Sequence, residues 1–298
     1  MSERRRLLAL GMLLAASGGL VAVIAVHRVR TPLPASLAPA FQLLGTPVKA
    51  LDHVVTRVIP VSAVDERDFG VVLRARYDLQ AQPADTDFVY VNDVLSHISR
   101  VAVKPFEYRA YMLDSPVPNA MALPGGVVLV TDGLLRTLRS EAELAGVLGH
   151  ELGHIERGHC LDAVKFQLLA EKVGAVPFGE LVDFAVRLLV SHSFSKTQED
   201  DADEYAYAVI ENGPYDPRGV GAAFASLLAY VRAAEVPAPT GVDPLRDYFS
   251  SHPPLEVREA KFRARAEAWW RRHSGERRAV GERNLRDRVS VFRRQGSS

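Results

Sequence analysis

His150-Glu151-Leu152-Gly153-His154 is the stretch from which the rest of the chain can be read. On an α-helix, residues four apart share a face, so His150 and His154 can turn two imidazoles toward one metal ion. Glu151 is rotated about 100° from His150, close enough to reach a metal-bound water without taking a coordination position. Two nitrogen ligands and a general base on one helix are the parts of metal-assisted hydrolysis. The preceding residues support the helix. Ser140 offers a hydroxyl cap, Glu141 and Glu143 put acids in the first turn, and Leu144, Val147 and Leu148 follow at helical spacing. A five-residue pattern also arises by chance on ordinary amphipathic helices, so the further ligands decide.

One class of zinc enzyme places a third His six residues after the second, with a Gly between them. Cys160 and Arg157 stand at those places here, which removes that class. Another uses a Glu about twenty residues downstream. Glu171 and Glu180 bracket that distance, neither in a suitable helical motif. The better candidate is Glu199, in Phe194-Ser195-Lys196-Thr197-Gln198-Glu199-Asp200-Asp201-Ala202-Asp203. Glu199 and Asp203 share a helical face, so Glu199 can bind a metal while Asp203 accepts a hydrogen bond from a ligand imidazole and orients it. A solvated acidic helix start is the plainer alternative for this charge run.

Four motifs in chain order, Pro118-Asn119-Ala120-Met121-Ala122-Leu123-Pro124-Gly125-Gly126, His150 to His159, Phe194 to Asp203 and Ser251-His252-Pro253-Pro254, resemble the HtpX-type and CAAX-prenyl-protease-type zinc endopeptidases. The resemblance runs from about Asp87 to about Phe262. It departs from the family pattern at Lys196, where Arg is usual, and at Ser251, where Thr is common; neither touches the metal chemistry. It implies an α+β, zincin-like domain, mostly helical, with a small sheet beside the metal helix. It also implies one Zn2+ per chain on His150, His154 and Glu199, Glu151 as base, Asp203 behind a ligand, and polypeptide substrates. His252 becomes a candidate donor to the carbonyl oxygen, or a ligand that holds the resting enzyme latent. Periplasmic members of the family act in envelope protein quality control, which is the role the resemblance suggests.

Apolar residues at helical spacing predict a helix over 87–103, and alternation around Tyr108 to Leu113 predicts a strand. Val127-Val128-Leu129-Val130 predicts a second strand after the Pro124-Gly125-Gly126 turn. Its expected role is an exposed edge beside the metal, with Asn119 and Ala120 nearby, on which an extended substrate pairs through its backbone. Val127, Val128 and Leu129 would then touch substrate. An interior strand is the alternative.

Leu7 to Val26 is an uncharged, mostly apolar run of 20 residues between Arg4-Arg5-Arg6 and Arg28. As a helix it rises about 30 Å, enough to cross a bilayer. The expected organisation is a signal-anchor over 1–30, a linker with a short helix over 31–59, the metalloprotease domain over 60–270 and a basic tail over 271–298. The linker carries Pro32, Pro34, Pro39 and Pro47. The tail sets nine arginines against Glu276, Glu282 and Asp287, which suits either lipid headgroups or a solvated end. The expected location is the inner membrane, single-pass, with the catalytic domain on the periplasmic side. Lys plus Arg and Asp plus Glu both total 36, so no net basic field argues for nucleic acid. Two rival functions remain: a zinc-containing chaperone that binds unfolded proteins without cutting them, and a thiol enzyme at the single cysteine, Cys160.

Overall fold

Asp85 caps the helix predicted around 87–103, accepting a hydrogen bond from the Phe88 amide at 2.9 Å. This helix, α2 (Thr86–Ile98), follows α1 (Ala63–Asp78) and ends in a short 3-10 turn, Ser99–Val101. These elements come from a computed structural model, which describes residues 62–172, 186, 194–233 and 255–296. The apolar run 7–26, the proline-bearing linker with the short helix expected within 31–59, and His252 lie outside the described residues. Among those described, no helix is long and apolar enough to cross a membrane.

Three strands form one sheet in the order β1 (Arg109–Leu113), β3 (Val127–Thr131), β2 (Ala120–Leu123). β1 runs parallel to β3 and β2 antiparallel to it. The expectation that Val127, Val128 and Leu129 offer a free edge is therefore overturned, because β3 is paired on both sides. The physical reason was visible in the residues. Four consecutive apolar side chains without polar alternation belong to a strand covered on both faces. Val128 and Val130 enter the core with Leu95 and Leu144, whereas Val127 and Leu129 pack with Phe69 and Leu73 of α1. Where the chain turns from β2 into β3, Gly125 and Gly126 have φ of 75° and 95°. A side chain at Gly125 would also strike Gly70 of α1, its Cβ falling 2.4 Å from the Gly70 Cα.

After α3 (Asp132–Thr137) comes α4 (Glu141–Glu156), the helix that carries the His150 motif. Ser140 caps it as predicted, accepting from the Glu143 amide at 3.2 Å. It packs against the sheet, against α6 (Lys196–Glu211) and against α7 (Arg218–Ala233). α5 (His159–Lys172) follows α4, and α8 (Leu255–Arg272) lies along α7. Gly149 and Gly153 face α6: a Cβ at Gly153 would lie 2.9 Å from the Ala202 backbone, and one at Gly149 would lie 3.3 Å from Ala206. These bare positions bring α6, with Glu199 and Asp203, close to the histidines of α4.

The expected boundary at residue 270 is not observed. α9 (Glu282–Asp287) and α10 (Val291–Gly296) fold onto the domain. The Glu141 and Ala142 amides donate to the carbonyls of Gly281 and Val280 at 3.2 and 3.0 Å. Phe292 stacks on His97 with ring centroids 3.4 Å apart. Several of the arginines find acids: Arg288 pairs with Asp87, Arg293 with Asp93, and Arg294 with Asp287. Trp269 is buried, and Trp270 donates to Asp216 at 2.9 Å, so this pair belongs to the docked helix.

Candidate metal centre

His150 and His154 lie on the buried face of α4, and Glu199 enters from the first turn of α6. One ligand atom from each lies within 4.8 Å of the others. The two Nε2 atoms are 3.1 Å apart, and Glu199 oxygens stand 3.5 Å from that of His150 and 3.4 Å from that of His154. Two imidazole nitrogens and a carboxylate, all buried and aimed at one point, form the donor set of a three-ligand site with room for a further ligand.

The electrostatics of the site suit a cation. Burial opposes a charged imidazole at His150, but hydrogen bonds to Asp203 and Glu199 outweigh it and raise the pKa to about 9. At His154 burial wins, with the neighbouring His150 charge adding to it, and the pKa falls to about 3.

Behind the ligands lies a layer of orienting contacts. Asp203 Oδ1 is 2.9 Å from His150 Nδ1, the contact expected from the spacing. Burial pushes the Asp203 carboxyl up, but His150 and the Arg258 guanidinium hold it below the usual carboxylate range. Arg258, on α8, is the residue that sequence reasoning missed. It donates to both Asp203 oxygens, at 2.8 and 2.5 Å, and its Nη1 lies 3.5 Å from Glu199 Oε2. Its charged carbon sits 4.2 Å from the Phe224 ring centroid. Arg258 Nη2 also comes within 3.2 Å of His150 Nδ1. Both atoms donate to the Asp203 carboxylate, which leaves His150 Nε2 to face the metal position. Only its place six residues after His252 could have pointed to Arg258. His159 was missed in this role too: its Nδ1 is 3.1 Å from His154 Nδ1, while Phe194 stacks on His154 with centroids 4.0 Å apart.

Glu151 is buried beside His150 and lines the same cleft. Asn119 precedes β2 and Ala120 begins it opposite Val130 of β3; both are buried, and α4 packs against this strand. The Asn119 carbonyl accepts from Thr131 at 3.0 Å, so alternation turns the backbone polar groups of Ala120 and Ala122 away from β3. The Cys160 thiol is fully buried, donates to the Ala122 carbonyl at 3.6 Å, and is pushed well above its ordinary pKa by burial. Such a thiol is no nucleophile, which removes the thiol-enzyme reading.

The family model described as peptidase family M48 matches residues 87–266, more than half of the chain. Among relatives, mitochondrial metalloendopeptidase OMA1 of Arabidopsis thaliana is 28% identical over 165 residues, covering 54% of this chain and 32% of that protein. Metalloprotease LoiP of Escherichia coli is 30% identical, covering 42% of this chain and 52% of its own. A protease HtpX homolog of Dictyoglomus thermophilum is 27% identical, covering 65% of this chain and 75% of its own. The chain thus spans a third to a half of the length of the first two.

Proposed function

Since the chain belongs to peptidase family M48, we propose that it is a zinc-dependent endopeptidase, anchored in the inner membrane by residues 7–26 and acting on misfolded envelope proteins. One observation carries the peptidase reading: His150, His154 and Glu199 converge on one point, with Glu151 beside them on the wall of the adjoining cleft. A zinc ion on these three donors would supply the Lewis acidity that activates water and polarises a carbonyl. Glu151 takes the proton of the attacking water and returns it to the leaving amine. Asp203, held by Arg258, keeps His150 turned toward the metal, and His159 does the same for His154. His252 donates to the carbonyl oxygen as negative charge builds there. A pure binding protein has no need of an acid at position 151, which argues against the chaperone reading.

An extended substrate would pair along β2, the strand that ends the sheet among the described residues, through the outward backbone groups of Ala120. Anchoring rests on the apolar run and its flanking arginines. The deciding experiment is digestion of an unfolded protein such as reduced casein by the full chain. Cleavage should stop with chelator, return with zinc, and be absent in Glu151→Gln. Cleavage that persists in a metal-stripped sample would defeat the proposal.

A further inference from the structure

β1 ends the sheet on the side away from β2, and one of its outward backbone positions is already filled by a side chain. The Ala110 amide donates to Asn92 Oδ1, and Asn92 Nδ2 donates to the Ala110 carbonyl, both at 2.9 Å. The Asn92 amide thus takes the place of a neighbouring strand's peptide group. Alternate residues of a strand turn their backbone groups to opposite sides, and the Arg109 amide is bonded to Gly126 on the β3 side. Met112 therefore faces outward like Ala110, and its N–H and C=O meet no partner among the described residues. α2 covers the edge at Ala110, but beside Met112 a groove of about 300 Å³ opens. Tyr77, Phe88 and Leu113 are among its walls. Asp85, Asp114 and Asp132 also line it, with no cation in the lining, whereas Asp87 is paired with Arg288. Burial pushes the Asp132 carboxyl above the usual range, and Asp114, Asp87 and Asp85 push the same way against Arg136.

We propose that the β1 edge is a docking site for an extended, lysine- or arginine-bearing segment of a partner protein, which adds as a further strand beside Met112. In strand addition the main-chain bonds hold the segment, and neighbouring pockets select its side chains. Met112 supplies one donor and one acceptor, and Asn92 shows that a planar amide fits against this edge. The carboxylates choose the charge. Charged side chains commonly guard an edge against pairing. Here the guard is of one sign, so it repels a second copy of the chain, whose own β1 would bring the same acids opposite. An acidic segment meets the same repulsion. A basic one keeps its charged heads at the wet rim beside Asp114 and lays its stems along Tyr77 and Leu113. The proposal stands apart from the peptidase reading, since it uses no residue of the metal centre.

The test is fluorescence anisotropy of a short peptide of alternating Lys and Val, labelled with a neutral fluorophore, titrated with the full chain carrying Glu151→Gln so that the probe is not cut. The peptide should bind saturably, and its Glu-Val counterpart should not. N-methylation throughout the peptide removes every donor, keeps the charge, and should weaken binding about tenfold or more. Met112→Pro deletes the outward donor of β1 and should weaken it about two- to tenfold, the worth of one hydrogen bond. Asp114→Lys, at an exposed position, should weaken it by at least as much. Thermal melts show whether Met112→Pro folds; the N-methylated peptide and Asp114→Lys decide without it. Binding that survives N-methylation is charge attraction alone and overturns strand addition. Binding that N-methylation abolishes but Asp114→Lys or a folded Met112→Pro leaves unmoved belongs to another edge, such as β2, and overturns the site. No saturable binding of the Lys-Val peptide, or equal binding of the Glu-Val peptide, overturns the proposal outright.

Discussion

The two ends of α4 both bury carboxylates, and they do so for different ends. At its start, Glu141 accepts from the Tyr215 hydroxyl at 2.8 Å and the Val291 amide at 2.9 Å. Glu143 accepts from Ser226 at 2.8 Å and from the Arg139 amide at 3.0 Å. Neutral donors from three distant stretches of chain thus close around these acids, and the effect is to fasten the C-terminal segment to the core. Two turns later, His150, His154 and Glu199 turn their lone pairs to one shared point, and the charged residues Asp203 and Arg258 stand behind them. Burial of charge therefore does not by itself mark function. Convergence of acceptors does.

Substitutions at the two ends sharpen this contrast, beginning with the proposed metal ligands. Glu199→Ala should lose both bound zinc and proteolysis, since a ligand is removed outright. Elemental analysis finding one zinc per chain in this variant would break the comparison at its centre. Glu151→Gln should keep its zinc and lose about 10²–10⁴-fold in kcat, the contribution of a general base. Arg258→Met and Asp203→Ala should each weaken zinc binding by about 10–100-fold, the usual cost of losing an outer partner of a ligand. Competition with a chromophoric chelator measures it, and parental affinity in both variants would mean that Asp203 and Arg258 only pack.

Changes at the other end should leave zinc alone. Tyr215→Phe removes a hydrogen bond to a buried carboxylate and should cost about 1.5–3 kcal/mol in denaturant unfolding, with zinc content unchanged. Glu141→Gln has the smallest expected effect. Burial raises this carboxyl's folded pKa above its ordinary 4.5, against the pull of its hydrogen bonds. A raised acid makes the ionised form costly in the fold, a cost absent at low pH and growing as pH rises above that ordinary value. The Gln variant should therefore gain stability relative to the parent between about pH 4 and pH 7. A widening deficit over that range would show that the charge at Glu141 helps hold the C-terminal segment.

Local pattern made some of this legible. Helical periodicity put His150, Glu151 and His154 on their helix, and the i, i+4 relation joined Glu199 to Asp203. Arg258 could not be read in the same way. It is one of five arginines in α8, and nothing nearby distinguishes the one that turns inward. The tail misled for a related reason, since Arg288 and Arg293, which read as part of a solvated run, are matched by Asp87 and Asp93, about two hundred residues earlier.

What the sequence determined by itself was the candidate metal site: its donor types, their face on a helix, and the acid beside them. These follow from a repeat of 3.6 residues, which acts over short stretches of chain and needs no partner. The tertiary structure decided the rest. It chose β3 as the middle strand, brought Arg258 to Asp203 across 55 residues, and packed α7 against α4. Such contacts depend on how faces pack once helices and strands exist, and side-chain volume and buried charge settle that only when the whole domain has closed.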